Sequence, residues 1–378
     1  MKKVLVFALS LLTVLLCFVS CDRTETVNEL FSGETLEVLY QDGKFVVKGA
    51  FEYNGEETGK YTVSCLNVKD DADGIEIKKE FNLVNGNNEF EFFVPVSAKN
   101  QTLTASVFVG EKEIVNKVEK TVKSLRLLSV GNSFSVDAQQ HLYGIAKDMG
   151  YDNVVLGNLY IGGCSLQGHY STYINERASY IYYKNTSGEW TEKPDTTFLE
   201  GLKDERWDYI TLQQSSGFSG DSASYQPHLE NLVSYIKLNR TNPNAQLLWH
   251  MTWAYSGDST HQDFVRYDND QMKMYDGIVN AVKENVLGNS DISFVIPAGT
   301  AIQNARATSL GDTLCRDGFH LDLNYGRYLA GLTWIHKISG LPIGNVTFIP
   351  DGAFDEATLE ILKECAVNAV ANPFEVTE

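Results

Sequence analysis

The sequence predicts an α/β protein with a second, all-β part: a small antiparallel sandwich at residues 34–122, then a parallel sheet covered by helices on both faces at residues 124–376. Two observations predict it. Up to about Val122 the chain is written in short runs of alternating apolar and polar residues, and after Ser124 strands alternate with amphipathic stretches of helical length. A length of 378 residues with 43% hydrophobic side chains is ample for two packed cores.

In the first part the runs are LEVLYQDGKFVVKGAFEYNG, KYTVSCLNV, EIKKEFNLVNGNNEFEFFVPV, LTASVFVG and IVNKVEKTV. Period-two alternation places successive side chains on opposite faces, and the Asp-Gly and Asn-Gly pairs supply left-handed residues for tight hairpins. The pattern reads as a sandwich of immunoglobulin-like type. The acidic stretch Asp70-Asp-Ala-Asp-Gly74 lacks the ligand spacing and closing Glu of a calcium loop, and reads as a turn.

In the second part strands are expected at LRLLSVG, NVVLGNLYIGG, DYITLQQ, QLLWHMTWAY and ISFVIPAG, with helices at VDAQQHLYGIAKDMG, YQPHLENLVSYIKLNR and FVRYDNDQMKMYDGIVNAVKENV. Such spacing implies parallel strands with helical crossovers, and sheets of that kind bind ligands at the carboxyl ends of their strands. The segment 178–197, rich in Tyr, Asn, Lys and Trp, reads as a surface insertion beside the site.

At the strand ends stand Gly131-Asn132-Ser133, Gly162-Gly163, Gln213-Gln214 and the stretch from His250 to Tyr255, while Asp317-Gly-Phe-His320 precedes the last helix. Singly, each is an ordinary turn or strand exit. Jointly they supply a serine nucleophile, a base to take its proton, an acid to orient that base, and donors for a tetrahedral oxyanion. Asn132, Gly162, Gln213, Trp253 and Tyr255 are placed to line the cleft, and Arg327, at the start of the last helix, to hold a substrate or the loop. The histidines His141 and His336 fall in helical patterns, His169, His228 and His261 at loop or helix-start positions, and His250 on a core strand. No two are spaced i, i+4 and no C-x-x-C pair occurs, so neither a metal site nor any cofactor is expected. Cys164 and Cys315 are expected close to the site, as free thiols or as a bridge.

The arrangement resembles the SGNH (GDSL-like) hydrolase superfamily over roughly residues 125–340. Its Gly-Asp-Ser stands here as Gly131-Asn132-Ser133, its oxyanion glycine matches Gly163, and its closing D-x-x-H matches Asp317-Gly-Phe-His320. The resemblance implies a three-layer α/β/α fold, a triad of Ser133, His320 and Asp317, and an oxyanion site built by the N–H groups of Ser133 and Gly163. The family's Gly-x-Asn-Asp is absent, and Gln214 in Leu212-Gln-Gln-Ser-Ser-Gly217 takes the place of its side-chain donor. No G-x-S-x-G occurs, which argues against an α/β-hydrolase elbow.

The start of the chain points outside the cytoplasm. Met1-Lys-Lys precedes an uncharged run from Val4 to Val19, and Phe18-Val-Ser-Cys21 resembles a bacterial lipobox. Residues 1–20 are thus expected to be a lipoprotein signal peptide, 21–33 a linker, and Cys21 the lipidated residue that anchors the protein in the cell envelope. The excess of 49 acidic over 31 basic residues, a formal charge of −18, argues against nucleic acid as a partner. The reading that follows is an esterase acting on acyl, chiefly O-acetyl, groups of carbohydrates. A lipid or thioester hydrolase with the same triad, and a catalytically silent glycan-binding lipoprotein, are its alternatives.

The anchor is testable by fractionation. Cys21→Ala should move the protein from the membrane fraction to the soluble fraction, and continued dependence on detergent would contradict lipidation at Cys21.

Overall fold

The computed structural model describes residues 30–377 with the exception of Asp71, so the apolar leader, Cys21 and one residue of the acidic turn lie outside the described residues. The described chain divides into two compact units: one of residues up to 66, 75–94 and 103–120, and one of 67–74, 95–102 and everything from 121.

The first unit is built on strands β1 (Phe31–Gln41), β2 (Lys44–Tyr53), β3 (Gly59–Lys69), β4 (Ile75–Leu83), β5 (Gly86–Pro95), β6 (Asn100–Val109) and the first part of β7 (Lys112–Gly131). β1 already starts inside the segment expected to be linker. The β1/β2 pair is antiparallel across Asp42-Gly43, both left-handed with φ of 47° and 75°, as a tight hairpin between right-twisted strands requires. One sheet has the order β1-β2-β5; in the other β3 pairs with β4 and β6, and β6 with β7. Phe45, Val47, Phe51, Tyr61, Val63 and Leu103 are buried in it, and the Phe51 and Tyr61 rings meet edge to face at 5.0 Å.

In the second unit β7 continues and is followed by α1 (Ser133–Gln139), α2 (Leu142–Asp148), β8 (Asn153–Tyr160), α3 (Leu166–Ile174), β9 (Tyr180–Asn185), β10 (Trp190–Thr196), α4 (Phe198–Asp204), β11 (Tyr209–Leu212), α5 (His228–Asn239), β12 (Gln246–His250), α6 (Gln271–Asn285), β13 (Ile292–Ile296), α7 (Ala298–Arg306), α8 (Tyr325–Ser339) and α9 (Glu356–Ala371). The sheet order is β10-β9-β8-β7-β11-β12-β13. β8, β7, β11, β12 and β13 run parallel, with Leu127 between Leu156 and Tyr209 and Thr211 beside Leu248. The helices α1, α2, α7, α8 and α9 pack on one another, as do α3, α4 and α5. This is the expected mostly parallel sheet between helical layers.

Three local expectations are corrected. The segment 178–197 is an antiparallel hairpin, β9 and β10, added to the edge of the sheet on β8, with Tyr180 and Tyr182 buried. The strand expected to reach Tyr255 ends at His250, because the Met251 carbonyl is taken by the Gly299 N–H of α7 instead of by a neighbouring strand. The helix expected from Phe264 is interrupted by Asp268 and Asn269, both left-handed, and restarts at Gln271.

Core packing positions the strand ends. Four tryptophans, Trp207, Trp249, Trp253 and Trp334, are fully buried, and Gly157 is required because a Cβ there would lie 2.7 Å from the Trp207 ring. Arg126 and Asp208 form a buried ion pair of 2.8 Å where β7 meets the start of β11. Among the described residues no helix is long and apolar enough to cross a membrane, and no cluster of His, Cys, Asp and Glu could hold a metal ion.

His169, expected at a polar helix start, is instead buried in α3, stacked on Tyr180 and hydrogen-bonded to its hydroxyl at 2.9 Å. Burial pushes its imidazole down to about 3 from an ordinary 6.5. Below pH 6.5 the unfolded chain takes up a proton that the folded chain refuses, so this site costs stability as pH falls from 6.5 toward 3. Urea unfolding between pH 7 and pH 4.5 should therefore show the wild type losing up to ~1.4 kcal/mol per pH unit more than His169→Phe. Equal pH slopes for the two proteins would remove His169 from the acid response.

Candidate active site

β7 ends in Gly131 and hands the chain directly to α1, so Ser133 stands as the first helical residue at the carboxyl edge of the sheet. The helix starts there because Asn132 caps it, its Oδ1 accepting the Phe134 N–H at 3.0 Å. As the first residue of the helix, Ser133 has no intrahelical acceptor for its own N–H.

Opposite Ser133 lies the loop 315–321, closed by a bridge between Cys315 and Leu321. His320 Nε2 is 2.8 Å from Ser133 Oγ, and His320 Nδ1 is 2.7 Å from Asp317 Oδ2. The other Asp317 oxygen accepts the N–H groups of Phe319 and His320 at 3.2 and 2.8 Å. Partial burial pushes the Asp317 carboxyl up, but hydrogen bonds from the His320 ring and from these two N–H groups outweigh it and hold it below the usual carboxylate range. Gly318 is left-handed, with φ of 88°, and a Cβ there would lie 2.9 Å from Ser259, so only glycine lets the turn close.

The placement of this loop depends on a residue that sequence reading missed. Asp137, on α1 one turn beyond Ser133 and with a side chain 1% exposed, accepts the Leu321 N–H at 2.8 Å and pairs with Arg327 at 2.7 Å and Arg316 at 3.3 Å. Arg316 in turn donates to the Leu321 carbonyl, and its own N–H meets the His320 carbonyl at 2.9 Å. The i, i+4 spacing from Ser133 was visible in the sequence, but the two arginines, 179 and 190 residues away, were not. Of the two roles expected for Arg327, substrate or loop, the pairing with Asp137 places it with the loop and not in the cleft lining.

Trp253 and Tyr255 are corrected likewise, since both are fully buried. Trp253 stacks on Phe134 at 4.2 Å and donates its indole N–H to the Phe319 carbonyl at 2.8 Å, so it holds the loop from behind. The Tyr255 hydroxyl is spent on Ser216 Oγ at 2.8 Å.

Beyond β8 the exposed loop carries Gly162 and left-handed Gly163, with φ of 62°. Buried Asn132 ties it to Ser133 by donating Nδ2–H to the Cys164 carbonyl at 3.1 Å. Gln213 donates to Asn132 Oδ1 at 2.8 Å and is itself 3.0 Å from His250 Nδ1. Burial pushes His250 down to about 3, so it is neutral at ordinary pH. Gln214 is corrected as an oxyanion donor: its Oε1 accepts from Leu166 N–H at 3.0 Å and Ser215 N–H at 2.8 Å, and its Nε2 donates to the Ser224 carbonyl and hydroxyl. Adjacent residues of a strand face opposite ways, and here it is Gln213 that faces Ser133's turn. Cys164 and Cys315 are both free thiols, and burial pushes Cys164 up to about 12.

The profile of the family described as a domain of unknown function (DUF4886) matches residues 126–369. A solved DUF4886 family protein from Bacteroides uniformis is 41% identical, covering 68% of this chain and 98% of its own, with a TM-score of 0.65. An acetylxylan esterase from Geobacillus stearothermophilus aligns at 11% identity over 60% of this chain and 96% of its own with a TM-score of 0.35. A carbohydrate acetylesterase from Xanthomonas citri aligns at 9% identity over 82% and 76%, with a TM-score of 0.34. Likeness at the level of these two says nothing about activity. No curated protein matches the chain.

Neutralising the buried carboxylate should loosen the loop without emptying it. Asp137→Asn should lower kcat for any substrate processed at Ser133 by roughly 10-fold to 100-fold while KM changes little, since a small displacement of a reacting group is costly. A kcat equal to wild type in a protein of intact near-UV circular dichroism would show that the clamp does not position His320.

Proposed function

We propose, for a chain that belongs to the DUF4886 family, that it is a serine ester hydrolase of the SGNH type, acting on acyl esters of carbohydrates with Ser133, His320 and Asp317 as its triad. The observation that carries the reading is the unbroken chain from Ser133 Oγ to His320 Nε2 at 2.8 Å and from His320 Nδ1 to Asp317 Oδ2 at 2.7 Å. Serine is a weak nucleophile until a base takes its proton, and that base needs a partner to fix its tautomer.

In this mechanism His320 accepts the Ser133 proton as Oγ bonds to the ester carbonyl carbon, and Asp317 stabilises the imidazolium. The oxyanion is met by the N–H groups of Ser133 and Gly163. Collapse breaks the bond to the alcohol oxygen, which leaves with the proton from His320. Water, deprotonated by His320, then attacks the acyl-serine, and the carboxylate and free Ser133 hydroxyl are released. Side chains and backbone N–H groups of the chain supply every step, and the scheme calls for no cofactor.

The carbohydrate part of the reading is supported by the rim near His320. Ser259, in the largely exposed polar run from Gly257 to Thr260, lies against Gly318, so the side where the alcohol departs is edged by hydroxyl, carboxylate and backbone groups beside the half-buried Phe319 ring. Such an edge suits a polyhydroxylated alcohol better than a lipid. The leader ending in Cys21 supports an envelope location with a lipid anchor.

A fluorophosphonate should label the protein at Ser133, and Ser133→Ala should lower hydrolysis of 4-nitrophenyl acetate by ~10⁴-fold or more. Lack of labelling in the folded wild-type protein, or full activity in Ser133→Ala, would defeat the proposal.

A further inference from the structure

We infer that the cavity on the far flank of Ser133 is an acyl-side pocket, and that it takes a planar aromatic acyl group bearing a hydrogen-bonding ring substituent. The inference rests on the esterase reading and extends it to the acid half of the ester. The cavity has a volume of about 300 Å³ and is lined by Val136 of α1, Gln140 at its C-cap, Asn158 of β8, Tyr183 of β9 and Trp190 of β10. That is the size of a small ligand pocket.

Its position relative to the chemistry follows from helix geometry. At 3.6 residues per turn, Val136 and Gln140 lie to one side of Ser133 on α1, whereas Asp137, which holds the His320 loop, lies to the other. His320 must protonate the departing alcohol, so the alcohol occupies the Asp137 flank. The acyl chain therefore points along the Val136 and Gln140 flank. The wall there is continuous: Tyr160 has its hydroxyl 3.2 Å from where a Cβ of Gly162 would lie, and its ring is 5.6 Å from that of Tyr183.

The lining selects the occupant. Tyr183 and Trp190 offer ring surfaces and Val136 an apolar one, which favour a flat aromatic group over a flexible chain. Asn158 is 1% exposed, and its Oδ1 accepts from the Ser135 hydroxyl at 3.0 Å. Its carboxamide belongs to the cavity lining, and a phenolic oxygen or ring ether can accept from such an N–H group. Gln140 brings a second carboxamide to the same wall. An acetyl group is too short to reach Gln140, which lies seven residues, ~10 Å, along the helix axis from Ser133.

Two esters with one leaving group separate the acyl side from all else: 4-nitrophenyl acetate and 4-nitrophenyl 4-hydroxycinnamate. The wild type should hydrolyse both, and filling the cavity with Val136→Phe should lower kcat/KM for the cinnamate about 100-fold more than for the acetate. Trp190→Ala, in the hairpin at the sheet edge, should raise KM for the cinnamate selectively and serves if the first variant misfolds. Turnover of acetate but not cinnamate by the wild type, or equal effects of both variants on the two esters, would overturn the pocket assignment and leave the esterase reading standing. Turnover of neither ester, with Ser133 unlabelled by fluorophosphonate, would bring down both.

Discussion

Asp137 carries a carboxylate into the interior one helical turn beyond Ser133, and there it meets two guanidinium groups and a backbone N–H. A carboxylate that has lost its water is tolerated only when every lone pair is claimed, and removing a partner from such a set costs about 3–5 kcal/mol. The partners come from both arms of the loop that bears Asp317 and His320, and from the helix that follows it. The loop itself is poorly buried, with the Asp317 side chain 42% exposed and that of His320 21%. Apolar burial could not hold it to within hydrogen-bonding distance of Ser133. The ion cluster, with the Trp253 indole behind Phe319, does so instead.

A second network fixes the other half of the site. His250, Gln213, Asn132 and the Cys164 carbonyl form one hydrogen-bonded line running from the interior of the sheet to the glycine loop. Because burial keeps His250 neutral, the line carries no net charge and competes with neither the triad nor the Asp137 cluster. Each link ends on a strand terminus: β7 through Asn132, β11 through Gln213, β12 through His250. The glycine loop is thus referred to the sheet, while the imidazole is referred to α1. Preorganisation of this sort is what an oxyanion site needs, since donors that had to reorient would repay their interaction in lost entropy.

α1 separates two kinds of surface around Ser133. Toward Asp137 everything is charge and proton chemistry. Toward Val136 lie two carboxamides and aromatic surface, the latter supplied by a hairpin that the parallel sheet does not require. The hairpin lengthens the sheet beyond β8 and carries Tyr183 and Trp190 to the wall beside α1.

How much of this the sequence disclosed depended on how local each signal was. Ser133, Asp317 and His320 could be picked out because a serine after a glycine-ended strand and an acid three residues before a histidine are short-range patterns, and the layer order followed from alternating periods of two and 3.6. Whether Gln213 or Gln214 faces the cleft could not be read, because that parity depends on the register of β11 between β7 and β12, with Thr211 set against Ser129 and Leu248. Trp253 and Tyr255 were misplaced because their strand ends when α7 takes the Met251 carbonyl, a contact from 48 residues downstream. Arg327 had no visible partner until folding brought Asp137 to it from 190 residues away. The sequence by itself thus determined which candidate residues stand at the strand ends and the order of strands and helices. Only the tertiary structure decided which side chains meet, because a buried charge or amide is paired by whatever the fold brings within 3 Å, and no local pattern encodes that distance.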